Sequence, residues 1–293
     1  MDESLENRRT AKLYAGVPPQ LVARLQEFRA RYPVREATVA GTRWRYTDTG
    51  AGESAMLLLS GAACIAEISW ASIEHYAGQH RVIAPDYPAL DTMAALVDGV
   101  AGLLDQLGVK RAHVLGGSYG GLVAQVFVRR HPDRAATLIL SHTLLPDREA
   151  SARTAGSVRW MRWLPAAVLR ALMKRQLGKL FPANQQPEVA LSRALLADVV
   201  DHRLTKGQIV SLVMRLVDLG MNYSFTPDDL RAWPGRVLLL MADDDPATPP
   251  RLRQAMAAMY PRAPVRIFSG GGHLTSLLKQ GEYFAAVDDF LKA

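Results

Sequence analysis

Short, mostly apolar runs alternate with longer amphipathic stretches along much of this chain. The runs fall at residues 56–59, 81–84, 112–115, 137–140, 237–241 and 265–268. A strand covered on both faces must be apolar on both, so these runs predict buried strands of a mostly parallel sheet. Helical spacing fills most of the gaps. It predicts helices over 66–77, over 92–107 with Asp91 as cap, from after Gly121 to about Arg130, over 250–259 and over 276–291. Ahead of the first run, residues 36–48 alternate as a hairpin would, turning at Ala40-Gly41. Earlier still, Pro18-Pro19 open a stretch in which Leu21, Val22, Leu25 and Phe28 recur at helical spacing.

The alternation stops after Ser141 and resumes near Val237. Everything between reads as helix and loop. Three segments are therefore expected: a helical N-terminal extension over 1–33, an α/β core over 34–145 and 234–293, and a helical insertion over 146–233. The fold class is α/β, a mostly parallel central sheet with helices on both faces.

Composition adds little until charge is mapped. The formal net charge is +7, and between Ala150 and Pro187 there are seven basic residues and no acid. A local excess of this kind points to an anionic substrate, a membrane surface or a partner rather than to nucleic acid. A single cysteine, Cys64, excludes an intrachain disulfide. The first residues, MDESLENRRT, lack the apolar core of a secretory signal, and a cytoplasmic protein is expected. The histidines are scattered, with no H-E-x-x-H, so neither metal nor cofactor is expected. No feature sets an oligomeric state.

Candidate chemistry begins at Gly116-Gly117-Ser118-Tyr119-Gly120, a G-x-S-x-G sequence between a predicted strand and a predicted helix. A nucleophile must project from a turn too sharp for ordinary side chains, and the residues two before and two after it approach each other. Gly116 and Gly120 meet that demand. G-x-G-x-x-G is not spelled, which argues against a dinucleotide loop. A serine hydroxyl needs a base. Two later loops follow strands: Asp243-Asp244-Asp245, and Gly270-Gly271-Gly272-His273. Open α/β sheets place their sites at such strand ends. His142 also follows a strand, but its place in chain order does not suit the base.

With these residues the chain resembles the α/β-hydrolase superfamily, from about Trp44 to the C-terminus less the insertion. The resemblance implies Ser118 as nucleophile, His273 as base and Asp245 as the orienting acid, with Asp244 as runner-up. It implies an oxyanion hole from the backbone N–H groups of Ala62 and Tyr119. The family's H-G-x-x-G is here Ser60-Gly61-Ala62-Ala63-Cys64, so both the histidine and the last glycine are replaced. That loop, with Arg81 to Pro88, also bears a weaker resemblance to maspardin-like proteins.

The insertion resembles the lid of many such hydrolases. Its apolar residues, among them Trp160, Trp163, Leu169 and Met173, are interleaved with arginines. The favoured reading places the apolar face over the pocket, with Ala63, His142, Trp160 and Trp163 as pocket residues. The alternative is an interfacial helix on anionic lipid. The function expected is hydrolysis of a carboxylic ester or related acyl compound, and the same residues could cleave a carbon–carbon bond or transfer an acyl group. The alternative is a non-catalytic, maspardin-like binding protein.

Overall fold

In the computed structural model, which describes residues 12–183 and 186–293, every predicted strand is present and the sheet has eight. They are β1 (Arg35–Val39), β2 (Thr42–Asp48), β3 (Ser54–Leu59), β4 (His80–Pro85), β5 (Ala112–Gly117), β6 (Ala135–Ser141), β7 (Arg236–Ala242) and β8 (Val265–Phe268). Their spatial order is β1-β2-β4-β3-β5-β6-β7-β8. The hairpin pair β1–β2 and the β2–β4 pair are antiparallel, and all others are parallel. Ala40 and Gly41 both take positive φ, 47° and 77°, as a two-residue hairpin turn requires. The chain passes from β3 out to β4 and back across to β5. A crevice therefore opens between the ends of β3 and β5, at Leu59 and Gly117, where the sheet changes direction.

The helices are α1 (Pro19–Arg31), α2 (Trp70–Tyr76), α3 (Met93–Gln106), α4 (Tyr119–Arg130), α5 (Arg148–Met161), α6 (Ala166–Gly178), α7 (Pro187–Asp198), α8 (Lys206–Asn222), α9 (Pro250–Met259), α10 (Thr275–Leu278) and α11 (Gln280–Lys292). Helix α4 is buried along nearly its whole length. Four helices, α5 to α8, lie between β6 and β7. None of the described helices is long and apolar enough to cross a membrane.

Three local expectations change. Thr92, not Asp91, caps α3 by accepting the Ala95 N–H; Asp91 instead accepts from Ser211 and pairs with Arg162. The stretch 66–77 divides into a 3-10 turn, Ala66–Ser69, followed by α2. The last helix divides at Lys279 into α10 and α11. Of the expected N-terminal extension, residues 1–11 lie outside the described residues.

Helix α1 is tied to the core by packing and by charge. Leu25 and Phe28 are buried, Phe28 edge-on to Trp70. Beside them, Arg29 and Arg203 both grip the buried Glu67, at 2.5 and 2.6 Å, and Asp198 at the end of α7 completes the cluster, 3.3 Å from Arg29. Burial works to raise the Glu67 carboxyl, but the two guanidiniums outweigh it and hold it below the usual range. The cluster joins the N-terminal helix, the 3-10 turn and the inserted helices at one point. Glu67→Gln leaves two guanidiniums facing a single acid, and should lower stability by on the order of 3 kcal/mol, read from denaturant midpoints. Because the folded carboxyl titrates below its unfolded value, this stabilisation is present above the ordinary glutamate range and is lost as pH falls through the folded value. The wild-type protein and the variant should converge there, and a gap that persists in acid would show that the loss is one of packing.

Candidate functional site

The turn that carries Ser118 is built by close backbone approach. Ser118 has φ 53° and ψ −123°, a conformation that costs about 1–3 kcal/mol and must be held from outside. The holding bonds are specific. The Ser118 N–H donates to Ser141 O at 2.9 Å, and the Ser118 carbonyl accepts from Gly121 N–H at 3.0 Å and from the Thr143 hydroxyl at 2.7 Å. A methyl group on Gly120 would lie 2.0 Å from Leu59 O, and one on Gly116 would lie 2.3 Å from Gly120 O. Both clashes are with backbone, so neither glycine can be replaced without moving β3 or α4.

The two downstream loops meet. Asp245 is buried and accepts from Ala247 N–H and from the Thr248 hydroxyl, both at 2.8 Å. Its remaining capacity faces His273, whose Nδ1 lies 2.9 and 3.1 Å from the two carboxylate oxygens. Burial acts to raise the Asp245 carboxyl, and these hydrogen bonds prevail and hold it below the usual range. Asp243 and Asp244 have work in the fold: they accept the N–H groups of Gly270 and Gly272 at 2.9 and 2.8 Å. Three adjacent acids thus hold one glycine-rich loop, and only Asp245 reaches the ring.

The other ring nitrogen, His273 Nε2, is buried and has no hydrogen-bond partner among the described residues. His273 and Ser118 line one cavity, together with Ala62, Ala63, His142 and the cavity-facing ends of α6 and α7. Tyr119 turns its side chain away from the cavity. As the first residue of α4, however, its N–H is one of those a helix cannot satisfy internally. Trp160 and Trp163, expected at the pocket, do not line it: they are 71% and 81% exposed. The inserted helices reach the cavity through Leu177, Leu180, Phe181, Ser192, Leu195 and Leu196 instead. Among the described residues, the lining contains no Asp, Glu, Lys or Arg.

His142 is buried beneath this arrangement with φ 50°, and its role is structural as well as pocket-lining. Its Nε2 lies 3.0 Å from Thr275 Oγ1, and the Thr275 hydroxyl already donates to Gly272 O at 3.0 Å. The proton of that first bond therefore belongs to His142, and its Nδ1 must accept from Ser141, 2.8 Å away. This neutral, ordered chain ends on the carbonyl just before His273. The two imidazoles stand nearly perpendicular, their centres 6.0 Å apart. Burial first, and then the nearby His273, push the His142 imidazole down to about 4.

One important residue escaped the sequence reading. Arg215 of α8 is fully buried. Its Nε donates to the Tyr119 hydroxyl at 2.6 Å, and Nη1 donates to the carbonyls of Pro88 and Leu90 at 3.2 and 2.7 Å. Nη2 lies 3.7 Å from Cys64 Sγ. Cys64 has φ 59°, so the backbone still takes the shape that the expected glycine would have allowed. Its thiol, pushed up to about 11 by burial, is a packing group. Arg215 thus ties the start of α4 to the loops that follow β3 and β4. An arginine in an amphipathic helix reads as solvent-facing from sequence, and nothing local marked this one.

Comparison with known proteins shows the family of the chain. The alpha/beta hydrolase family profile matches residues 56–287. A 2-hydroxymuconate semialdehyde hydrolase of Pseudomonas sp. (strain CF600) is 27% identical, over 88% of this chain and 93% of its own length. Maspardin of Macaca fascicularis is 25% identical, over 69% of this chain and 63% of its own length. The crystal structure of the enol-lactonase from Burkholderia xenovorans LB400 superposes with a TM-score of 0.73 at 20% identity, covering 88% of this chain and 100% of that one, a likeness of fold.

A pH prediction follows from His142. Its folded imidazole binds a proton less readily than the unfolded one, so the unfolded state takes up more protons as pH falls from about 6.5 to 4. Stability should decline across that window by ~3 kcal/mol on account of this group alone. Asparagine tolerates the positive φ at this position. His142→Asn should therefore flatten the decline, measured as the difference in unfolding free energy between neutral pH and the acid end. An unchanged slope would mean that His142 is protonated in the folded protein.

Proposed function

The chain belongs to the alpha/beta hydrolase family and is a hydrolase; on that premise we propose that it cleaves neutral carboxylic esters or related acyl compounds with Ser118, His273 and Asp245. The observation that carries this reading is the condition of His273. One nitrogen is held by a buried carboxylate, and the other is buried and unpartnered in the cavity that Ser118 lines. A base so arranged can take the serine proton and hold it as a cation beside Asp245.

On this reading the steps are as follows. Ser118 Oγ attacks the acyl carbonyl while its proton passes to His273 Nε2. The carbonyl oxygen becomes an oxyanion, received by the N–H groups of Ala62 and Tyr119. The C–O bond breaks, and the leaving alkoxide takes the proton from Nε2. Water then repeats the sequence on the acyl-enzyme, giving the acid and restoring Ser118. The segment over 146–233 serves as the cap, since α6 and α7 supply the outer cavity wall.

Neutral substrates are favoured because a buried carboxylate needs a cation beside it, and the described lining has none. A second reading is cleavage of a carbon–carbon bond in a ring-fission product. The 27% identity to a 2-hydroxymuconate semialdehyde hydrolase favours it. The carboxylate in that substrate's name weighs against it here. A maspardin-like adaptor is the third reading, and it would leave Ser118 unreactive.

A panel of neutral acyl esters set beside a hydroxymuconate semialdehyde separates the first two readings: faster turnover of the semialdehyde would move the assignment to carbon–carbon cleavage. Ser118→Ala should abolish turnover and fluorophosphonate labelling while leaving the thermal midpoint nearly unchanged. Failure of the wild-type protein to label would favour the adaptor. Asp245→Asn should lower kcat on the order of a thousandfold or more, by releasing the ring and its tautomer. Asp244→Asn should do far less, because an amide oxygen can still accept the Gly272 N–H. A reversed order would make Asp244 the orienting acid.

A further inference from the structure

The inserted helices carry a surface that their packing on the core leaves unused. Trp160 and Trp163 stand at the junction of α5 and α6, and Val168 and Leu172 follow on α6, 42% and 47% exposed. These four make up half of the exposed large apolar side chains among the described residues. The same stretch holds the seven basic residues with no acid among them. Four of these cations are engaged: Arg153 with Glu149, Arg162 with Asp91, Lys174 with Asp201, and Arg170 with the Leu204 carbonyl. For Arg159, Arg175 and Lys179 there is no carboxylate within ion-pair reach among the described residues; Lys179 meets only Gln176.

The arrangement on α6 is directional. Val168, Leu172, Arg175 and Lys179 recur at helical spacing on the outer face. Leu169 and Met173 are buried on the inner face, and Leu177 reaches the cavity. One helix therefore separates the cavity from an exposed apolar and cationic strip.

We infer that this strip docks the protein on an anionic lipid surface. The indoles of Trp160 and Trp163 enter the headgroup layer, Val168 and Leu172 lie against it, and Arg159, Arg175 and Lys179 meet lipid phosphates. Tryptophan suits that layer because it joins a large apolar face to one N–H donor. Unpaired cations beside it add attraction to anionic headgroups. A second copy of the chain fits less well. Two-fold pairing would set a segment rich in cations and free of acids against itself. An acidic protein would satisfy the charges, but two indoles standing this far out offer it no pocket. The docking does not depend on which bond the active site cleaves.

The test uses the full chain with vesicles of phosphatidylglycerol and phosphatidylcholine in equal parts, against vesicles of phosphatidylcholine alone. Cosedimentation with the anionic vesicles only, weakening as salt is raised, is expected. The remaining tryptophans, Trp44, Trp70 and Trp233, are buried, so a blue shift of emission on binding reports Trp160 and Trp163. Replacing Arg159, Arg175 and Lys179 with glutamine should weaken partition by roughly fivefold per charge, on the order of a hundredfold together. Trp160→Ala with Trp163→Ala should abolish the blue shift. All five side chains are exposed, so the thermal midpoint should stay put and confirm that the variants fold. No binding to anionic vesicles at low salt would overturn the proposal. So would binding that ignores salt and the substitutions. Self-association of the wild-type protein that the tryptophan variant abolishes would overturn it in favour of a second copy. An acidic polypeptide that binds the strip while anionic vesicles do not would overturn it in favour of a protein partner.

Discussion

Backbone contact between the end of β3 and the first turn of α4 is the constraint on which the site depends. Gly120 sits so close to Leu59 that no side chain fits between them, and Gly116 closes on Gly120 from below. Only with this contact does Ser118 stand at positive φ above the sheet. Its strain is borne by bonds to Ser141, Gly121 and Thr143, which belong to the next strand, the next helix turn and the loop after β6. The turn at Ser118 is therefore a product of three strands packed side by side rather than of its own five residues.

The same economy governs His273. A glycine-rich loop has little conformational preference of its own, and here Gly270, Gly271 and Gly272 all take positive φ. Its shape is imposed from one side by Asp243, Asp244 and Asp245. From the other side it is imposed by the chain running from Ser141 through His142 and Thr275 to Gly272. Burial keeps His142 neutral, which preserves the direction of that chain.

The inserted helices serve two surroundings at once. Inward, α8 sends Arg215 under the loop after β3 and the start of α4, while α6 and α7 close the cavity with uncharged side chains. Outward, α5 and α6 expose tryptophan and unpaired cations. The division explains how one segment can be both strongly basic and a wall of an uncharged pocket.

The sequence by itself determined the strand order along the chain, the hairpin at Ala40-Gly41 and the turn at Ser118, because each rests on local demands: apolar runs for buried strands, and glycine where no side chain fits. It also singled out the loops of Asp245 and His273, because chain order alone places them after strands. It put Asp245 ahead of Asp244 only through the family resemblance, since contact with the ring depends on burial against a loop far along the chain. It did not reveal that Cys64 could take a glycine's conformation, because the support comes from Arg215, 151 residues away. The outward faces of Trp160 and Trp163 lay beyond it for the same reason. A helix's apolar residues fix that it has an apolar face, but only its neighbours in space decide whether that face meets the core or the solvent.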